Sequence, residues 1–104
     1  MDWVVSETLI WIKEDGTAHD IKVRLGKPLR EGDGEWSCLA VIDPDNEPRR
    51  VHGVSALQAH ALALRLVQKH LEHLAAHGRL LYSDDDQEVS LTAVFGAPRA
   101  MAPH

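Results

Sequence analysis

The chain is short of most residues that announce chemistry. It holds one cysteine, Cys38. No disulfide can close within it, and a zinc site made of several thiolates is excluded. A lone thiol fits a reducing cytoplasm, which is the expected location. No apolar run approaches the ~20 residues of a membrane-crossing helix, so no membrane partner is expected. The opening Met1-Asp2-Trp3-Val4-Val5 lacks the basic start and apolar core of a secretory signal and reads as a mature cytoplasmic chain. Positive charge is also scarce: eleven Lys and Arg stand against sixteen Asp and Glu, a formal net charge of −5. Phosphate backbones repel such a molecule, and the single pair Arg49-Arg50 makes no basic footprint, so nucleic acid is not an expected partner. No phosphate-cradling G-x-x-x-x-G-K, dinucleotide fingerprint or G-x-S-x-G elbow is present, and no cofactor is expected. Asp43-Pro44-Asp45-Asn46-Glu47 begins like a calcium loop but lacks its glycine and distal glutamate, and reads as a turn.

What is present is the pattern of one ordinary globular domain. With 104 residues, 44% apolar and 26% charged, the chain can bury one core and not two. The expected domain is 1–96. Residues 97–104, with two prolines, read as a loose tail.

A long amphipathic helix dominates, from Ser55 to about His77. Ser55 and Gln58 form an S-x-x-Q capping box, in which the serine hydroxyl accepts a free first-turn N–H and the glutamine reaches back. Gly78 stands where a left-handed residue closes a helix. Leu57, Ala61, Leu64, Val67, Leu71 and Leu74 recur at steps of three and four as one apolar stripe. Leu64 sits at the centre of that stripe, so Leu64→Ala is expected to be costly. Arg65, Lys69, Glu72 and Ala76 take the opposite side. Leu62 and Leu66 fall off the stripe, and either widen the buried face or mark a second contact surface.

Upstream of the helix the period is two. Val4 to Lys13 is rich in β-formers, and Asp15-Gly16 follows as a hairpin signal. His19 to Leu25 alternates, with Ile21, Val23 and Leu25 on one face. Gly26 to Gly34 reads as a polar loop. Glu35 to Asp43 is apolar on both faces, which marks a central strand, and Arg49 to Gly53 is a short strand feeding the helix. Short connections favour antiparallel neighbours. The expected fold is α+β with two layers: an antiparallel four-stranded meander, with one long helix packed on one face. Between 79 and 96 lies material for a fifth strand, with Val89 to Phe95 as either that strand or a segment draped over the core.

Trp36-Ser37-Cys38, followed by Gly53-Val54-Ser55-Ala56-Leu57-Gln58-Ala59, resembles a family of small uncharacterised bacterial proteins, a domain of unknown function. Its pattern is a W-x-C strand, a G-V-[DS]-x-x-Q-A helix start and a G-F-P-like tail. Phe95-Gly96-Ala97-Pro98 departs from that tail in order and by an insertion. The resemblance covers Glu35 to Leu71 and implies the fold and a bacterial cytoplasmic setting, but no activity. Physically, Trp36 and Cys38 would face the core, Gly53 would make a tight turn, and Ser55 and Gln58 would cap the helix.

Candidate sites are few. His70, His73 and His77 share a helix flank, and imidazoles four residues apart can share a transition metal. The zincin order H-E-x-x-H is absent from His70-Leu71-Glu72-His73. The expected role is a solvated polar flank without metal. His60 falls near the stripe's centre and is expected to be a hydrogen-bonded core histidine or a partner contact. Cys38, on a strand with no partnered histidine, is expected to be buried and inert. Trp3, Trp11, Leu62 and Leu66 have no obvious place in a one-sided core. The function expected is therefore a non-enzymatic interaction or regulatory accessory domain, with a protein partner or a second copy as a homodimer. The alternative is a metal- or small-ligand-binding protein, possibly an enzyme, using the helix histidines.

Overall fold

Alternating side chains and a tight turn build the first hairpin. Strand β1 runs Trp3–Lys13 and β2 runs Ala18–Gly26. Between them the Asp15 carboxylate accepts from the Thr17 N–H at 2.9 Å and its hydroxyl at 2.7 Å, and Gly16 takes a φ of 88°. The computed structural model describes residues 3–44 and 47–96; the expected tail, 97–104, lies outside them. Strands β3 (Leu29–Gly32), β4 (Glu35–Asp43) and β5 (Arg49–Gly53) follow, then helix α1 (Ala56–Ala76), strand β6 (Gly78–Tyr82) and a short helix α2 (Leu91–Phe95).

The four-stranded meander is β1-β2-β4-β5, every pair antiparallel. Ala40 of β4 faces Leu25 of β2 on one side and Arg49 of β5 on the other. Trp36 likewise faces Arg30 of β3 and Gly53 of β5. Strands β2 and β3 thus share one edge of β4, and β5 takes the other. Strand β6 pairs antiparallel with β1 at the far side of the sheet. Helix α1 therefore carries the chain across one sheet face, from the β5 edge to the β6 edge. The α+β two-layer architecture is the expected one.

One element departs from the sequence reading, and one that it left open takes the second of its two alternatives. The stretch read as a polar loop contains β3, whose four residues are all exposed. Backbone pairing to β4 holds it, and with neither face buried it leaves no apolar period to read. The fifth meander-side strand is Gly78–Tyr82, not Val89–Phe95. After β6 the chain turns back through Asp84-Asp85-Asp86 and lies along the β6 edge: the Tyr82 N–H donates to the Gln87 carbonyl and the Val89 N–H to the Leu80 carbonyl, each at 2.8 Å. The acidic run is that turn, with the Asp85 carboxylate accepting from the Gln87 N–H. Val89 to Phe95 then drapes over the core and ends in α2, capped by the Ser90 hydroxyl.

The core lies between α1 and the inner sheet face. Leu9, Ile21, Val23, Leu25, Cys38, Ala40, Ile42 and Leu80 come from the sheet; Ala59, Ala63, Val67, Leu71 and Leu74 come from the helix. Strand β4 is covered on both faces, as its sequence implies. On the outer face Ser37 is fully buried; its hydroxyl donates to Glu31 at 3.0 Å and accepts from Arg50 at 3.1 Å. Those bonds join β3, β4 and β5 across the open side and satisfy a hydroxyl that would otherwise be costly to bury.

The helix ends are set by side chains. The Ser55 hydroxyl accepts from the Gln58 N–H at 3.1 Å, and Gln58 Oε1 accepts from the Val54 N–H at 2.7 Å. The capping pair is the expected one, though the glutamine reaches one residue further back than in the usual box. Gly78 does not close α1 with a left-handed conformation. His77 is the cap, and Gly78 already belongs to β6. Glycine is required there for another reason: a Cβ would collide with the Ile12 carbonyl and sit 2.9 Å from Trp11 Nε1.

Candidate functional site

Helix α1 buries a different face at its start from the one its leucines suggest. Val67, Leu71 and Leu74 are buried as expected, but Leu57 is 80% exposed and Leu64 37% exposed. Ala59 and Ala63 hold the buried positions instead. Close approach is the cause. A Cβ placed on Gly53 would lie 2.8 Å from the Ala59 nitrogen and 2.9 Å from Gln58 Oε1. Where helix and sheet are that near, methyl groups fit between them and leucines do not. Three residues turn a helix by about 300°, so Leu64 projects about 60° to one side of Val67.

The displaced residues make a surface. Leu57, Ala61 and Leu64 form one exposed flank of α1, preceded by Val54 at 73% exposure. Beside Leu64 lie α2 and the start of β1, where Val94, Val4 and Val5 are also exposed. Leu64, Val94 and Val5 wall one cavity, so helix, short helix and strand present one continuous apolar surface. A shallow groove of about 580 Å³ runs between α2 and Ala61, Leu64, Arg65, Gln68 and Glu72 of α1.

The cavity itself lies between β1, α1 and α2 and measures about 200 Å³. Its walls are almost wholly apolar, with two exceptions. Glu7 stands between Val5 and Leu9 on the core-facing row of β1. Tyr82 pairs across the ladder with Leu9, which puts it on the same face and diagonal to Glu7. Neither the Glu7 carboxylate nor the Tyr82 hydroxyl has a hydrogen-bond or ionic partner among the described residues. The sequence carried one sign of this: a charged residue at an inward step of an alternating strand. A segment draped over the core was one of two readings of Val89 to Phe95, but its helical form left no sign, because a five-residue helix shows no period.

His73 and His77 are exposed, their ring centroids 4.8 Å apart and edge-to-face, while His70 is half-buried. Among the described residues no three His, Cys, Asp or Glu side chains gather to hold a metal ion. His60 is half-buried. Trp11, read as having no place in the core, has one: it packs against the core cluster, and its indole N–H donates to the Leu74 carbonyl at 2.8 Å. The same carbonyl also accepts from the His77 N–H, so the indole adds a second bond there and ties α1 to β1. Leu66 also packs partly against the core, and Leu62 stays on the surface. Trp3 lies on the outer face under the Arg24 guanidinium, 5.5 Å from its ring centroid. Cys38 is fully buried; its Sγ–H donates to the Gly26 carbonyl at 3.3 Å, and burial pushes the thiol pKa up against a smaller opposing pull from Arg50.

A family model described as a domain of unknown function, DUF6968, matches residues 7–93. The chain belongs to this family. The match runs from Glu7 on β1 to Ala93 within α2, so it takes in α1, its exposed flank and most of the cavity wall. No curated protein and no solved structure matches the chain. No helix among the described residues is long and apolar enough to cross a membrane.

Proposed function

We propose that this domain is a non-enzymatic interaction module that binds a protein partner, or a second copy of itself, through the Leu57–Ala61–Leu64 flank of α1. One observation carries the reading: a capped helix with a fully packed inner face keeps large apolar side chains on a second face. Leu57 is the extreme case, exposed at the first turn with nothing folded over it among the described residues. Contiguous exposed apolar surface is what association buries. The acidic balance supports a protein partner over nucleic acid, and a single buried thiol supports a reducing, cytoplasmic setting. The bacterial origin implied by the family resemblance belongs to the same proposal.

The test uses photo-crosslinking side chains placed singly at position 57 and at position 69, on the solvent side. The expected result is a discrete crosslinked species from position 57 in the native cell, absent from position 69 and lost when Leu64→Glu is added. Equal crosslinking from both positions, or no change with Leu64→Glu, would refute the flank as the interface.

A second reading rests on His73 and His77, whose rings lie close enough for two-point attachment of a transition metal. Its support would be a zinc-induced rise in melting temperature that is abolished by His73→Ala with His77→Ala.

A further inference from the structure

The cavity beneath α2 has a chemistry that the exposed flank lacks. At about 200 Å³ it exceeds the ~150 Å³ that suffices for a benzene ring. Leu9, Val67, Leu71 and Phe95 are among its apolar walls. Glu7 and Tyr82 are the two polar residues of its lining, and neither the carboxylate nor the hydroxyl has a partner among the described residues. A carboxylate on the inward row of a strand is an odd neighbour for a core. Valine or leucine there would extend the packed layer, and solvent-facing steps were available one residue away on either side. Glu7 is exposed, so its charge remains hydrated although the residue borders the apolar lining. An anion at the entrance of an apolar recess selects cations and repels other anions.

We propose that this cavity is a binding site for a small apolar amine: one ring or short alkyl chain seated among Leu9, Val67, Leu71 and Phe95, with its ammonium at Glu7 and within reach of the Tyr82 hydroxyl. Size limits the apolar part to roughly one ring. The charge of Glu7 sets the sign of the head group. The ammonium can donate one hydrogen bond to the Tyr82 oxygen and another to the carboxylate. The proposal needs no protein partner, although Leu64 and Val94 border both this cavity and the exposed flank.

The experiment titrates the purified domain with 2-phenylethylamine and follows backbone and methyl resonances. Three comparison probes keep one feature each: 2-phenylethanol the ring without charge, 3-phenylpropionate the ring with negative charge, ethylamine the charge without the ring. The expected result is saturable binding of 2-phenylethylamine at millimolar concentration, with shifts centred on Leu9, Leu71 and Tyr82. The alcohol should bind about three- to fivefold more weakly, as the loss of one exposed ion pair allows, and the propionate more weakly still. Ethylamine should give no saturable shift at these residues. Glu7→Gln, at an exposed position that leaves the fold intact, should lower amine binding to the level of the alcohol and leave the alcohol unchanged. Propionate binding as tight as amine binding, amine binding indifferent to Glu7→Gln, or shifts located elsewhere on the surface would each overturn the assignment. Absence of any saturable shift would do so as well.

Discussion

The two halves of α1 follow different rules. From Val67 to Leu74 the helix obeys its hydrophobic period, and the large residues of the stripe are the buried ones. From Leu57 to Leu64 the same period points the wrong way: Ala59 and Ala63 are buried while Leu57 and Leu64 face out. The difference is the distance to the sheet. At the far end, Trp11 reaches up from β1 to the Leu74 carbonyl, and leucines fill the layer. At the near end the short β5–α1 connection brings Gly53 against the Ala59 nitrogen and Gln58, with no room for a side chain on Gly53, and the helix buries alanines there. Apolar periodicity therefore reports burial only where the layer spacing admits large side chains. Where the layers close up, small residues carry the contact and large ones are released to the surface.

Three substitutions sharpen this contrast by stability alone. Leu71→Ala should have the largest effect, a loss of about 2–5 kcal/mol, because truncation opens a cavity in the filled half. Ala63→Leu should cost about 1–3 kcal/mol by overpacking the tight half, although it raises the apolar score of the helix. Leu64→Ala should cost less than Leu71→Ala, about 1–2 kcal/mol, since over a third of the residue is already in water. Urea unfolding at fixed pH measures all three. A Leu64→Ala loss as large as that of Leu71→Ala would restore the stripe read from the sequence and break the comparison.

The legible parts of the fold were those with a repeating chemical reason. The β1–β2 hairpin showed in its alternation and its Asp15-Gly16 turn, and the limits of α1 showed in Ser55 and Gln58. Burial of Cys38 and two-sided covering of β4 followed from apolar residues at both parities. What escaped had no repeat to read. Strand β3 is exposed throughout and α2 spans only Leu91–Phe95. Gly78 looked like a helix stop because glycine is common there, whereas its role is to let β6 lie against Ile12 and Trp11. The candidate surface was half visible. Leucines in excess of one helix face pointed to a second contact: Leu62 is exposed as suspected and Leu66 packs partly against the core, while the exposure of Leu57 and of Leu64, which borders the groove beside α2, was not foreseen. Choosing between them requires the helix rotation, which the Gly53–Ala59 approach sets and hydrophobicity does not.

The smallest expected effect on stability is also the sharpest test of the released half. Leu57→Lys should change unfolding free energy by no more than about 0.5 kcal/mol, because Leu57 is 80% exposed and makes no part of the core cluster. Lysine also keeps the helix propensity of leucine, so α1 should retain its length. Ser55 and Gln58 make the cap without help from position 57. Any change in self-association of this variant would then report on the surface and not on folding. Sedimentation equilibrium alongside urea unfolding separates the two. A stability loss near that of Leu71→Ala would place Leu57 in the packed layer and remove the exposed flank on which the proposed interaction rests.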